Sequence, residues 1–316
     1  MNPRIYLLCA LLGLASLPAP AETGTPWSPA VLPHGQQREL ASRHTGRSYR
    51  IYLSTPTVEP PADGYPVIYV LDGNAMFPAL ALAARGQEKR AEVTGISPAL
   101  IVGIGYPIDG LLDEQARAED YTPPADDLSD TGDLRARKQG GAGRFLAFIE
   151  DELKPLIEAE YPVDRHRQTL FGHSYGGLFT LHVLFNRPQA FQTYVASSPS
   201  IWWNHRQILA ERRQFAARLA EQPVQARLLL SVGGLEQPSA QPTGAADDNP
   251  RLRMIGTRRM IDNARELAAD LAPLHSRGLS SQLRIYQDEN HGSAMLPATL
   301  RALEFALDDS DPPLKR

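Results

Sequence analysis

The stretch GHSYGG, residues 172–177, decides the fold of this chain. The apolar run 168–171 before it indicates a buried strand, and the apolar run 178–185 after it indicates a buried helix. A serine flanked by glycines between a strand and a helix matches the G-x-S-x-G nucleophile elbow. Both flanking glycines, Gly172 and Gly176, are expected because side chains beside the strained serine turn would collide with backbone. The motif predicts that Ser174 is a nucleophile.

Strand-like and helix-like segments alternate outward from this motif. This alternation over 316 residues predicts an α/β-hydrolase type of α/β fold, a doubly wound, mostly parallel sheet in a single domain. The predicted strands are 36–40, 48–53, 66–71, 99–104, 168–171, 192–196, 226–232 and 282–286. The predicted helices are 79–92, 144–158, 178–185, 206–219, 258–275 and 294–307. Two stretches, 106–141 and 236–249, lack periodicity and are expected to be irregular.

The N-terminus has the pattern of an export signal. Arg4 precedes the apolar run 5–17, and Ala19-Pro20-Ala21 has the small-x-small pattern of a signal-peptidase site. Residues 1–21 are therefore predicted to be a cleaved signal peptide, 22–35 a flexible segment and 36–316 the folded domain. The protein is expected in the periplasm. Cys9, the single cysteine, lies in the signal, so the mature chain is expected to have no disulfide.

Composition excludes several classes of partner. The formal charge of −4 gives no case for nucleic acid or for an anionic membrane surface. The sequence has no H-E-x-x-H, no P-loop and no G-x-G-x-x-G after the first strand. We therefore predict no metal and no cofactor, and a small molecule as the partner.

The other catalytic candidates follow from chain order. α/β-Hydrolases place the acid and then the histidine after the serine. His291 follows the last predicted strand, at the sheet edge where substrates bind, and is the predicted base. Glu236 follows the strand 226–232 and is the favoured acid, expected to matter less for activity than His291. Three other carboxylates remain open as alternatives: Asp247, Asp248 and Asp288.

An oxyanion hole needs two backbone N–H groups aimed at one point. The amide of Tyr175, directly after the serine, is one candidate. The other is the amide of Asn74, in the loop after the strand 66–71. The alternative for the second is an Asp-Gly-Asn turn with no catalytic part.

Four motifs occur in an order that resembles the esterase family of α/β-hydrolases. They are Tyr69-Val70-Leu71-Asp72-Gly73-Asn74, Arg117 with Asp120-Tyr121-Thr122-Pro123, GHSYGG at 172–177, and Asn290-His291-Gly292. The sequence resembles bacterial members that open ferric catecholate siderophores of the enterobactin and salmochelin type, from about residue 38 to 307. The resemblance implies the same roles for Ser174, His291, Asn74 and Tyr175, and implies that Arg117 faces a negatively charged ligand. It leaves the acid open, because this branch is described as using a serine–histidine pair.

The implied substrate is a trianion with aromatic faces, so cations and rings should line its site. Trp202, in the pair Trp202-Trp203, is predicted to form an aromatic wall. Basic residues in or after the irregular segments are Arg117, Arg137, Lys138, Arg251, Arg253, Arg258 and Arg259.

The sequence thus predicts an exported serine esterase that hydrolyses the trilactone of an iron-loaded catecholate siderophore. Two alternatives remain. One is a general carboxylesterase for other small or aromatic esters, and the other is a siderophore-binding protein that keeps a hydrolase scaffold without cutting its ligand.

Overall fold

The structure is a computed structural model that describes residues 27–133, 135–238 and 255–308. Pro33–Arg316 form one compact unit, distinct from Met1–Leu32. The predicted signal peptide lies outside the described residues. So do the alternative acids Asp247 and Asp248, together with Arg251 and Arg253.

An eight-stranded sheet forms the centre of the compact unit, in the order β1-β2-β4-β3-β5-β6-β7-β8. β2 is antiparallel to β1 and to β4, and the other neighbours pair in parallel. The strands are β1 Gly35–Ala41, β2 Ser48–Ser54, β3 Tyr65–Leu71, β4 Leu100–Gly105, β5 Val163–His173, β6 Thr193–Ser197, β7 Ala226–Gly233 and β8 Leu279–Tyr286. This confirms the predicted mostly parallel α/β fold.

Helices connect the parallel strands. The longer ones are α1 Gly73–Gln87, α2 Glu114–Tyr121, α3 Ala142–Phe148, α4 Lys154–Glu160, α5 Tyr175–Asn186, α6 Ile208–Glu221, α7 Met260–Leu271 and α8 Met295–Leu307. A π-helical turn, Ile149–Leu153, joins α3 to α4, and a 3-10 helix, Ala272–Arg277, follows α7.

Burial explains why the central strands and helix could be predicted from the sequence. Every residue of β3, β4 and β6 is buried, and so is every residue of α5 from Tyr175 to Phe185. Strands covered on both faces give continuous apolar runs, which is the pattern found at 66–71 and 99–104. The sheet therefore places β5 and its helix α5 at the centre of the molecule.

The segment 106–141 is less irregular than predicted, because it contains α2. The sequence of this helix, Glu-Gln-Ala-Arg-Ala-Glu-Asp-Tyr, has no apolar stripe. Its start is fixed by capping instead, since the Asp113 carboxylate accepts a hydrogen bond from Ala116 N at 2.9 Å. Two of its charged residues, Arg117 and Asp120, are buried, so polar partners in the fold stabilise a helix that periodicity does not reveal.

No helix among residues 27–133, 135–238 and 255–308 is both long enough and apolar enough to cross a membrane. The same residues contain no group of three or more His, Cys, Asp or Glu side chains arranged to hold a metal ion.

Candidate active site

Ser174 lies in a strained turn between β5 and α5. Its backbone has φ 61° and ψ −117°, a conformation that costs an ordinary residue roughly 1–3 kcal/mol. Ser174 N donates to Ser197 O at 2.9 Å, which anchors the turn to the end of β6. A Cβ on Gly172 would lie 2.2 Å from Gly176 O, so the strand and the first helical turn approach too closely for any side chain there.

The space around the two glycines after Ser174 differs from the sequence prediction. A Cβ on Gly176 would meet Leu71 Cδ1 at 3.4 Å, an ordinary van der Waals contact. A Cβ on Gly177 would instead lie 2.8 Å from Ser197 O and 3.0 Å from Pro199 Cα. The backbone collision predicted at Gly176 is therefore wrong, and the close approach after the serine occurs at Gly177.

Ser174, His291 and Glu236, which are far apart in the sequence, form one hydrogen-bonded line. His291 Nε2 lies 3.0 Å from Ser174 Oγ. His291 Nδ1 lies 2.6 Å from Glu236 Oε2. The arrangement suits an imidazole that takes a proton from the hydroxyl while a carboxylate orients it and stabilises its charge.

Glu236 is held rigidly for a loop residue. It is 3% exposed, and Glu236 Oε1 accepts hydrogen bonds from Ser198 Oγ at 2.5 Å and from Gly233 N at 2.7 Å. These two donors fix the orientation of the carboxylate. Asp288, the remaining described alternative, is exposed and forms no hydrogen bond or ion pair with His291.

His173 packs against the ring of His291, with 4.7 Å between the ring centroids. Its Nδ1 lies 3.0 Å from Ser197 Oγ. Burial, together with the charges of His291 and Arg117, lowers the pKa of His173 well below its ordinary value. His173 is therefore neutral, and an imidazolium formed at His291 meets an uncharged neighbour.

The two predicted oxyanion residues lie in the first turns of the helices that follow the neighbouring strands β3 and β5. Asn74 is the second residue of α1, and Tyr175 is the first residue of α5. Asn74 is fixed by its side chain, which accepts from Tyr106 N at 2.8 Å and donates to Tyr106 O at 3.0 Å. Amides in the first turns of two helices are free to face developing negative charge.

Arg117, which the sequence resemblance implied to face a negatively charged ligand, forms a buried ion pair within the chain. Its Nε and Nη2 donate to the Asp72 carboxylate at 2.9 and 2.8 Å, and the side chain is 6% exposed. The guanidinium lies over the rings of Tyr121 and Tyr175, 5.5 and 5.6 Å from their centroids. Against the cost of burial, the Asp72 carboxylate raises the pKa of Arg117. Two of the three guanidinium nitrogens, Nε and Nη2, are thus engaged by Asp72.

Trp202 lies beside the nucleophile turn. Its ring centroid is 6.1 Å from that of Tyr175, and the guanidinium of Arg258 lies 4.1 Å from the Trp202 ring centroid. The neighbouring Trp203 is fully buried, and its Nε1 donates to Gln139 Oε1 at 2.7 Å. Of the two tryptophans, only Trp202 is therefore available to form the predicted aromatic wall of a ligand site.

A cavity of about 460 Å³ lies along the segment after α2. Its lining includes Arg137, Lys138 and Asp133. Asp133 accepts a hydrogen bond from Tyr175 Oη at 2.6 Å, which connects the cavity to the residue after Ser174. This hydrogen bond, against the effect of burial, lowers the pKa of Asp133.

Sequence reasoning missed several residues that hold the site, namely Ser198, Asp72, Asp133 and His173. Ser198 and Asp72 directly follow β6 and β3, so their position at the carboxyl ends of parallel strands was the available signal. His173 also lies at the carboxyl end of a strand, as the last residue of β5, whereas Asp133 lies in the segment predicted to be irregular and follows no strand.

A family model described as "Putative esterase" matches residues 42–263. The chain belongs to this esterase family. It is 41% identical to the ferri-bacillibactin esterase BesA of Bacillus subtilis over 287 residues, which cover 90% of this chain and 93% of the relative. It is 38% identical to the siderophore enterobactin esterase of Emericella nidulans over 251 residues, 75% of this chain and 80% of the relative.

A solved structure supports the same assignment. The BES protein from Bacillus cereus has a TM-score of 0.77 at 36% identity, covering 90% of this chain and 99% of that chain. The protein is thus a carboxylic ester hydrolase with the α/β-hydrolase fold.

The glycine geometry gives a matched pair of substitutions. We expect Gly177→Ala to lower the free energy of unfolding by about 1–3 kcal/mol, because the new methyl group displaces backbone after β6. Gly176→Ala should change the free energy of unfolding by less than about 1 kcal/mol. Urea unfolding of both variants checks this, and equal losses would contradict it.

Proposed function

We propose that this chain is an exported serine esterase that hydrolyses the ester bonds of a catecholate siderophore trilactone such as ferric enterobactin, and so aids iron release. The observation that carries the proposal is the hydrogen-bonded line from Ser174 through His291 to Glu236, with 3.0 and 2.6 Å between successive partners. The names of the relatives support the substrate class, since one is a ferri-bacillibactin esterase and another a siderophore enterobactin esterase.

In the proposed reaction, Ser174 Oγ attacks the ester carbonyl while His291 Nε2 takes its proton. Glu236 orients the imidazole and stabilises its positive charge. The amides of Asn74 and Tyr175 receive the negative charge that develops on the carbonyl oxygen. His291 then protonates the departing alkoxide, and water, activated by the same imidazole, releases the acyl group.

The proposed substrate carries its iron. A ferric tris-catecholate has three negative charges and aromatic faces, and Trp202 and Arg258 together offer a ring and a cation beside Tyr175. An iron-free catecholate lacks this charge, so iron loading should strengthen binding.

Ser174→Ala should abolish hydrolysis of the ferric trilactone while the dissociation constant of the intact ligand stays within about threefold of wild type. The substitution removes the nucleophile and little contact area. Hydrolysis is measured by mass detection of the linear fragments, with iron-loaded and iron-free lactone in parallel. Fluorophosphonate labelling, localised by peptide mass, should occur at Ser174 in the wild type.

The same assays separate the alternatives. Turnover of p-nitrophenyl butyrate without turnover of either lactone would indicate a general carboxylesterase. Tight binding of the ferric lactone without turnover or labelling would indicate a binding protein.

His291→Ala should lower kcat by more than Glu236→Ala, which should still cost about 10²- to 10⁴-fold. The carboxylate only orients the imidazole, whereas the imidazole itself transfers the proton. Steady-state kinetics of the two variants on p-nitrophenyl butyrate measure the difference. A loss below tenfold for Glu236→Ala would remove Glu236 from the proposed triad.

We also propose that residues 1–21 direct the chain to the periplasm and are removed before Glu22. The proposal rests on Arg4, the apolar run 5–17 and Ala19-Pro20-Ala21. Expression in a Gram-negative host should give a periplasmic protein. Its intact mass should equal that of a chain that begins at Glu22. Ala21→Arg should block processing and Pro20→Ala should not. A periplasmic fraction without the protein would contradict export.

A further inference from the structure

Arg258 is a half-buried cation with an unusual set of neighbours. Its guanidinium lies 4.1 Å from the ring centroid of Trp202. Among the described residues, no carboxylate lies within ion-pair distance of it and no acceptor receives a hydrogen bond from its side chain. Burial lowers the pKa of Arg258, although arginine stays protonated at any physiological pH. The charge is thus partly desolvated without an acidic partner in the described chain.

Other arginines on this side of the molecule, exposed or half-buried, are paired with carboxylates. Arg206 and Arg259 both bind Glu266, and Arg212 binds Asp270. Removing a guanidinium from water without pairing it is costly. The absence of such a partner for Arg258 among the described residues leaves its guanidinium available to bind an anion.

Arg258 lies close to the nucleophile turn. Trp202, on which it stacks, is 6.1 Å from the Tyr175 ring, and Tyr175 directly follows Ser174. The nearby Asp133 is already engaged, since it accepts hydrogen bonds from Tyr175 Oη and from Arg135 N. It does not neutralise Arg258 by direct contact.

We propose that Arg258, stacked on Trp202, is the residue that binds the negative charge of the iron-loaded catecholates, in the role that the sequence suggested for Arg117. The inference rests on the proposed function and deepens it by naming the residue that selects for iron loading. Catecholate oxygens bound to iron would accept charge-assisted hydrogen bonds from the guanidinium, while a catechol ring lies against the exposed part of Trp202.

The test uses a ligand without an ester bond, so that binding is measured apart from catalysis. Wild type, Arg258→Met and Arg259→Met are titrated with a ferric tris-catecholamide and with the same compound free of iron. Tryptophan fluorescence reports the dissociation constant at low and high salt. Arg259 is the matched control, because it is the neighbouring arginine and is paired with Glu266.

Arg258→Met should weaken binding of the ferric compound by about 10- to 100-fold, with a smaller salt dependence than in the wild type. Its affinity for the iron-free compound should fall by less than about threefold. Arg259→Met should match the wild type with both ligands. The urea unfolding midpoint of each variant establishes that it is folded.

Two results would overturn the inference. One is wild-type affinity of Arg258→Met for the ferric compound. The other is an equal loss of affinity of Arg258→Met for the ferric and the iron-free compound. That result would mean that Arg258 supports Trp202 without recognising the charge of the ligand. Failure of the proposed function would look different, because the ferric trilactone would then bind in an Arg258-dependent way without being hydrolysed.

Discussion

The close approach of β5 to the first turn of α5 is the constraint on which the site depends. Gly172 and the Gly176 carbonyl lie so near each other that no side chain fits, and Ser174 is held with φ 61° between them. This geometry directs the serine hydroxyl toward His291 and places the Tyr175 amide at the start of a helix. Burial of α5 from Tyr175 to Phe185 provides the stability that offsets the strain.

A buried ion pair ties the neighbouring loops to this turn. Asp72 follows β3 in the left-handed conformation, and its carboxylate binds Arg117 from α2. The Arg117 guanidinium lies over Tyr175, the residue after the nucleophile. Removing either partner would leave an uncompensated buried charge, so the pair keeps the α1 and α5 N-termini in fixed surroundings. Arg117, which the sequence motif suggested as a ligand contact, thus forms a structural ion pair.

Chain order led to Ser174, Glu236 and His291 as candidates because it reflects the topology of the sheet. His291 and Glu236 follow β8 and β7, and parallel strands bring their carboxyl ends to one edge. Of the four candidate acids, the structure describes Glu236 and Asp288, and it separates these two because Glu236 is buried against Ser198 and Gly233 while Asp288 is exposed. The helix α2 escaped detection for a related reason, since its stability comes from a cap and from buried polar partners and not from an apolar stripe.

By itself, the sequence determined the alternating α/β architecture and the turn at Ser174, because these are written in local hydrophobic patterns and spacing. It also placed a candidate histidine, His291, after the last strand, and it left the acid open among four carboxylates. Only the tertiary structure decided that Gly177, and not Gly176, meets backbone, that Arg117 is paired with Asp72, and that Arg258 lies on Trp202 without an acid among the described residues. A residue's type gives its charge, but its partners come from segments far away in the chain. Only folding fixes which of them are near enough to bind it.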